Sequence, residues 1–205
     1  MEIFDQTARA NALRPDILSA FIGELMTDDE RARMNRLPEG CRMRSQAKIY
    51  SPELLTCGKY VWIGENAKLD ASGGLSIGDH TSIGLDVFVW SHTSFLTNLC
   101  MSNASGSSLI KRAATRIGTG CFIAGPSVVL AGCEIGDGCV VLPFSTITED
   151  IPAFSLVAGA PAKRILAITP DWVAAKLDEL PLEPIAKAQY LARFEVLFAK
   201  NHAAR

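Results

Sequence analysis

Histidine is scarce in this chain: His80, His92 and His202 are all there is in 205 residues. Six cysteines accompany them (Cys41, Cys57, Cys100, Cys121, Cys133 and Cys139), but no two form a CxxC pair. So thin a set of ligands argues against a zinc site, and no metal is expected. The first residues lack a basic stretch followed by an apolar one, so no export signal and no disulfide framework are expected. The cysteines read instead as small, buried, reduced thiols of a cytoplasmic protein. Charge is also sparse, at 20% of residues with a net −2, so neither nucleic acid nor an anionic membrane is expected as a partner. No run of 18 apolar residues occurs, which argues against a membrane span. What is abundant is apolar residues, 48% of the chain, enough for a substantial core in one domain with small appendages.

That apolar content is ordered in sixes. From residue 117 the chain reads IGTGCF IAGPSV VLAGCE IGDGCV VLPFST ITEDIP. The first position holds Ile117, Ile123, Val129, Ile135, Val141 and Ile147. The fifth holds Cys121, Ser127, Cys133, Cys139, Ser145 and then Ile151. Upstream, IGENAK LDASGG and IGDHTS IGLDVF VWSHTS keep the pattern, with a two-residue slip at 75–76 between them. A fifth position precedes the next first position by two residues, and residues two apart on a strand share a face. Each hexad therefore supplies one short strand with a small and an aliphatic residue inward. Helical spacings of three and four are missing here. One such strand cannot bury its face alone, so successive turns must stack into a solenoid.

This pattern resembles the left-handed parallel β-helix of the hexapeptide-repeat acyltransferases, over residues 61–166. The most specific element is TITEDIPAFSLVAGAPAKRI, residues 146–165, which is similar to that family's closing coil. The resemblance implies an all-β solenoid with three hexads per triangular coil. The left hand is part of the resemblance; the general rule for parallel crossovers would give the right hand.

Three segments lie outside the repeat. Residues 1–40 form an N-terminal segment, helical over 5–37, in which Pro15 is expected to divide the helix or begin a second one. Residues 167–205 form a C-terminal helical segment, with Thr169-Pro170-Asp171 as its start signal. Both are expected to cover the open ends of a β-helix spanning 41–166, with substrate recognition or trimer contact as the alternative. The third segment, residues 96–116, interrupts the hexads and ends in the basic cluster Lys111, Arg112 and Arg116. Long interruptions of this kind are usually functional or disordered.

The resemblance implies acyl transfer, most often from acetyl-CoA, to a hydroxyl or an amine. A group that titrates near neutrality suits removal of the acceptor proton. His92 sits at the fourth position of its hexad, an outward turn directly before the interruption, where the family places its base. His80 and Asp86 fall on two other corners of the coil, so neither is expected to pair with it. In sugar-acetylating relatives the base often lies two residues further on, where this chain has Ser94, a candidate for substrate binding. Asp86 matches a position that contacts the acceptor sugar in relatives, and is otherwise a plain turn aspartate. Trp90, with Phe88, faces outward; it either stacks on a sugar ring or, the favoured reading, lies under the N-terminal helix.

For acetyl-CoA the resemblance points to Ala124, Gly125, Pro143 and Thr148, with Lys163 and Arg164 meeting the phosphates or standing as solvated charges. Two departures bear on this. A segment that usually reads GAGS is LPFS here, residues 142–145, and a lysine common before DIP is Glu149. The function implied is O-acetylation of a sugar in polysaccharide or related glycan biosynthesis, by a homotrimer with sites between subunits. The alternatives are an N-acetyltransferase on a nucleotide-linked amino sugar and a non-catalytic solenoid scaffold. A zinc hydratase would need three convergent histidines, and only two lie in the repeats.

Overall fold

The computed structural model describes residues 7–102 and 108–203. Two helices come first, α1 (Ala8–Gly23) and α2 (Asp28–Met34). Coil one then runs through β1 (Arg42–Met43), β2 (Lys48–Tyr50) and β3 (Leu55–Cys57). Coil two follows with β4 (Trp62–Ile63), β5 (Lys68–Asp70) and β6 (Leu75–Ile77). Coil three has β7 (Ser82–Ile83) and β8 (Phe88–Val89), then leaves the solenoid. The excursion contains β9 (His92–Thr93), α3 (Phe95–Leu99) and β10 (Lys111–Arg112). The coil closes with β11 (Thr115–Ile117). Coil four is β12 (Phe122–Ile123), β13 (Val128–Val129) and β14 (Glu134–Ile135). Coil five is β15 (Val140–Val141), β16 (Thr146–Ile147) and a single bridge at Ile151. A sixth opens with β17 (Ser155–Gly159), and β18 (Ala162–Ala167) folds back antiparallel on it.

Equivalent strands stack in parallel into three faces. Face A is β1-β4-β7-β12-β15-β17-β18, face B is β2-β5-β8-β13-β16, and face C is β3-β6-β11-β14. The architecture is the expected left-handed parallel β-helix with helical appendages. Its interior is the column the hexads describe. Ile83, Ile123, Val129, Val141 and Ile147 are fully buried, and the small residues Cys121, Ser127, Cys133, Cys139 and Ser145 fill the corners beside them.

The slip at 75–76 has a structural cause. Leu69 and Ile77, on faces B and C, are separated by two residues more than the equivalent Val129 and Ile135. The extra residues form the corner between faces B and C, residues 71–74. The same corner of coil three releases the excursion, which spans 90–114 rather than the expected 96–116 and has strands and a helix of its own.

The N-terminal end is closed by α2. A reciprocal capping box starts this helix: Thr27 N–H donates to Glu30 Oε2 (2.8 Å), and Thr27 Oγ1 accepts from Glu30 N–H (3.4 Å). Arg31 is buried and donates to the carbonyls of Gly23 (2.8 Å), Met26 (2.6 Å) and Met43 (2.6 Å), tying the helix to β1. Pro15 does not divide the helical segment. It lies inside α1, and the break falls after Gly23, where the capping box restarts the helix.

The far end differs from expectation. The last strand of face A is covered by β18, not by a helix. Helices α4 (Pro170–Asp178) and α5 (Pro184–Ala203) follow, with Thr169 Oγ1 capping α4 by accepting from Trp172 N–H (3.2 Å). Helix α5 lies along the corner between faces C and A, where Phe194 and Phe198 pack on Phe154 and Asn201 donates to Asp137 Oδ2 (2.8 Å).

Candidate active site

Stacking of coils two and three assembles the site. Leu69 pairs with Val89, so the residues that follow each strand lie one above the other. Asp70 ends β5, next to a hairpin-like corner, and its side chain turns across to coil three instead of out to solvent. Its Oδ2 lies 2.7 Å from His92 Nδ1 and accepts from Ser91 N–H (2.9 Å) and Ser91 Oγ–H (3.0 Å). Its Oδ1 accepts from Ser72 N–H (3.1 Å). Ser72 Oγ also lies 3.0 Å from His92 Nδ1.

Asp70 is 3% exposed. Burial alone would raise its pKa, but Ser91 N–H, the hydroxyl and N–H of Ser72, and His92 outweigh that and bring it down to about 2. An ionised, immobile acceptor at Nδ1 holds the ring proton there and leaves Nε2 with a free lone pair. Among the described residues no group hydrogen-bonds to Nε2. The imidazole side chain is 31% exposed, so its outer edge reaches solvent. Trp90, 38% exposed, meets the ring edge-on at 6.1 Å between centroids.

The glycines of this corner serve close approach. A Cβ on Gly73 would lie 2.0 Å from Ser91 O and 3.0 Å from Ala113 N. Gly73 N–H donates to Ser91 Oγ (2.8 Å), and Ala113 N–H donates to Ser91 O (2.9 Å). Ala113 also abuts Gly132 of the next coil, whose added Cβ would sit 3.0 Å from the alanine methyl. The buried Thr115 donates to Trp90 O (2.6 Å) and accepts from Gly132 N–H (3.0 Å). Entry and exit of the excursion are thus tied to coils two, three and four around His92.

The sequence-derived candidates separate into groups. His92, Trp90 and Ser94 share the B/C corner, with Thr148 on the same corner of coil five. Ser94 occupies the cap position of α3 but makes no side-chain capping bond. Asp86, Ala124, Gly125 and Pro143 lie on the A/B corner, at the other edge of face B. Asp86 is exposed, with a left-handed φ of 55°, and accepts from Asn66 Nδ2 of the stacked corner below. Six residues of extended chain separate it from His92, about 20 Å at the rise of a strand. Gly125 is required by packing, since a Cβ there would fall 1.5 Å from Leu85 O. Lys163 pairs with Glu149 (2.6 Å), so the acid standing where relatives carry lysine takes up this charge. Arg164 points instead toward α5, beside Phe154, Phe198 and Asn201.

Two expectations need correction, and one partner of His92 was not foreseen. Trp90 is not buried under the N-terminal helix: it is 38% exposed, and α2 packs at β1, two coils away from β8. Cys100 is exposed, unlike the other five cysteines. His92 has a carboxylate partner that sequence reasoning missed. Neither His80, stacked on Tyr60 at 4.8 Å, nor Asp86 supplies it. The signal was the coil length: residue 72 lies 20 before His92, so the Asp70–Ser72 corner had to stack beside it.

The model of the bacterial transferase hexapeptide (six repeats) family matches residues 114–149. That match covers 36 of the 205 residues. It is 33% identical over 120 residues to the putative colanic acid biosynthesis acetyltransferase WcaF of Escherichia coli (strain K12), covering 58% of this chain and 62% of that protein. The chain therefore spans less than two thirds of the length of this curated relative. Two solved structures share the fold. One is the acetyltransferase VCA0836 of Vibrio cholerae O1 biovar eltor, complexed with acetyl coenzyme A (22% identity, 80% of this chain and 91% of that chain, TM-score 0.58). The other is a maltose O-acetyltransferase from Clostridium difficile 630 (20% identity, 74% and 83%, TM-score 0.56).

Proposed function

We propose that this protein transfers an acetyl group from acetyl-CoA to a sugar hydroxyl, in the synthesis of a polysaccharide or related glycan. The observation that carries the reading is the buried Asp70 carboxylate 2.7 Å from His92 Nδ1, with Nε2 left open at an exposed corner. The relationship to WcaF and the shared fold with acetyltransferases support it.

The chemistry follows from that geometry. Nε2 of His92 takes the proton of the acceptor hydroxyl as its oxygen attacks the thioester carbonyl. Asp70 keeps the ring in the tautomer that can do this and stabilises the imidazolium that forms. The tetrahedral intermediate collapses by breaking its C–S bond, and the imidazolium returns the proton to the departing CoA sulfur. Holding both substrates at the corner supplies the rest of the acceleration.

The exposed Pro143 and Thr148, with Ala124 and Gly125, are the proposed contacts of the pantetheine arm. Lys163 and Arg164 are the proposed phosphate contacts, the lysine giving up its Glu149 partner on binding. Asp86, Trp90 and Ser94 are the proposed acceptor contacts. Asp86 is about 20 Å from His92 in its own chain by strand rise, too far for both to touch one sugar. The reading therefore includes a homotrimer in which one protomer's B/C corner faces its neighbour's A/B corner. Light scattering checks this: three times 22.1 kDa is expected.

The deciding experiment is thiol release from acetyl-CoA over a panel of sugars, amino sugars and nucleotide sugars, beside His92→Ala. A loss of about a thousand-fold with a hydroxyl acceptor is expected, on the scale of a lost general base with its orienting partner. Near-normal O-transfer in the variant would overturn the assignment. Transfer to amines alone, weakly affected by the substitution, would favour the N-acetyltransferase. Failure of acetyl-CoA to bind would favour a scaffold.

A further inference from the structure

We propose that Arg112 binds an anionic oxygen of the acceptor beside His92, so that the substrate is an acidic sugar carrying a carboxylate or phosphate. This rests on the reading of His92 as the base. Arg112 pairs with His92 across the antiparallel β9–β10 ribbon, and Lys111 pairs with Thr93. Ala113 N–H donates to Ser91 O, which places Ala113 and Ser91 at a hydrogen-bonding position of the ladder, although Ser91 N–H itself goes to Asp70. The His92–Arg112 pair next to it is then the non-hydrogen-bonded kind, with Cα atoms about 4.5 Å apart and side chains at their closest. Residues opposite one another project from the same face of the ribbon. The guanidinium therefore shares the side of the imidazole, and the ammonium of Lys111 projects from the other side.

Among the described residues the arginine has no counter-ion. Its side chain is exposed, and among the described residues it makes no ion pair. The whole segment 91–116 contains no aspartate or glutamate. Acids on neighbouring coils are engaged elsewhere. Asp70 is held by Ser72, Ser91 and His92. Glu134 faces Arg116 at 3.9 Å, Asp150 Oδ1 accepts from Glu134 N–H (2.8 Å), and Glu149 pairs with Lys163 (2.6 Å). Glu53 belongs to the corner of coil one, two coils from the ribbon.

A guanidinium offers a planar pair of donors matched to a carboxylate or phosphate. Its place next to the proton-accepting nitrogen suits an anion on the same molecule as the reacting hydroxyl. The face it shares with His92 is turned toward Asp70 and Ser72 of coil two. The proposed donor contacts lie on coils four and five and on β18, all on the far side of the ribbon from coil two, which assigns the anion to the acceptor and not to CoA.

The test uses a matched pair of probes, p-nitrophenyl β-D-glucuronide and p-nitrophenyl β-D-glucoside, which differ in a carboxylate. Binding is measured by calorimetry to the full chain carrying His92→Ala, so the readout is independent of turnover. The glucuronide is expected to bind about ten-fold more tightly, the scale of one charge-assisted bidentate contact. Adding Arg112→Gln should bring the ratio close to one. Arg112→Lys should keep part of it, and Lys111→Gln, which removes the same charge from the opposite face, should keep all of it. Equal binding of both probes, or an equal loss in the Lys111 and Arg112 variants, would overturn the proposal. So would a wild-type background in which Arg112→Gln raises KM for acetyl-CoA but not for the glucuronide, since the anion held would then be the donor's. An Arg112-dependent preference without acetyl transfer to any acceptor would leave this inference standing and remove the proposed activity.

Discussion

Asp70 precedes His92 by 22 residues, yet its carboxylate oxygen lies 2.7 Å from the ring nitrogen. The two belong to adjacent coils, so their distance is set by strand stacking between β5 and β8 and not by a local turn. A change that shifts one coil against the other is therefore felt at the imidazole even when it touches neither residue.

Replacing the carboxylate tests this directly. Asp70→Asn places an amide opposite Nδ1 and permits the tautomer that carries its proton on Nε2. The expected result is a fall in kcat of about 10²- to 10³-fold with little change in KM for acetyl-CoA. Steady-state kinetics on a variant with native circular dichroism checks it; a kcat within three-fold of wild type, about 0.6 kcal/mol in barrier, would remove Asp70 from the mechanism.

Acid stability should carry the same signature. The folded pKa of Asp70, about 2, lies below its ordinary value of 3.8. The unfolded chain thus binds the proton more readily. The stabilisation is complete above about pH 4 and is lost as pH falls from there through 2. Its size is about 2 kcal/mol. Denaturant unfolding between pH 6 and pH 2.5 should show the gap between wild type and Asp70→Asn closing across that window.

Much of this was legible in the chain. The hexads predicted strands because a period of two fixes which residues face inward, and Val87 and Val89 are both buried as that pattern requires. The interruption after His92 was legible from its loss of period. Asp70 was not, because a strand pattern places it outward and only the corner geometry turns it across to Ser91. Arg112 was visible as a charge, but its register with His92 is a property of the β9–β10 ribbon. Pro15 misled because proline is a weaker boundary marker here than Gly23 followed by the Thr27–Glu30 capping box.

Gly73→Ala should disable the corner. The added methyl would meet Ser91 O at 2.0 Å, with backbone on both sides and no flexible side chain to give way. Destabilisation of about 2 kcal/mol or more and a parallel loss of activity are expected. Gly23→Ala, whose methyl would meet only Met34 Cε at 3.5 Å, is the control and should be close to neutral. Thermal melts of the two variants separate the cases.

Arg31→Met should loosen the N-terminal end. It strips three carbonyls, those of Gly23, Met26 and Met43, of their buried donor. A loss of about 2–4 kcal/mol follows from leaving such groups unpaired. Limited proteolysis should then cleave within 8–34 well before the coils are attacked.

Thiol chemistry should single out one cysteine. Cys100 is exposed, whereas Cys41, Cys121, Cys133 and Cys139 are buried. Burial, with the neighbouring Cys41, pushes the Cys57 thiol up to about 12. A chromogenic disulfide reagent at pH 8 should titrate one fast equivalent in the native protein, lost in Cys100→Ser, and all six cysteines only after denaturation.

Successive coils advance by 20, 20, 40, 18 and 16 residues along face A, and every difference is absorbed where face B passes to face C. The other two corners keep a fixed length. The solenoid thus has one seam along which chain can be added or removed without re-registering any ladder. Residues 91–93 and 111–114 act there as a socket, clamped between Gly73 and Gly132, and the chain between them is a replaceable insert. Exchanging 94–110 for a segment of different length and composition should alter the acceptor accommodated while the melting temperature stays within a few degrees of the parent.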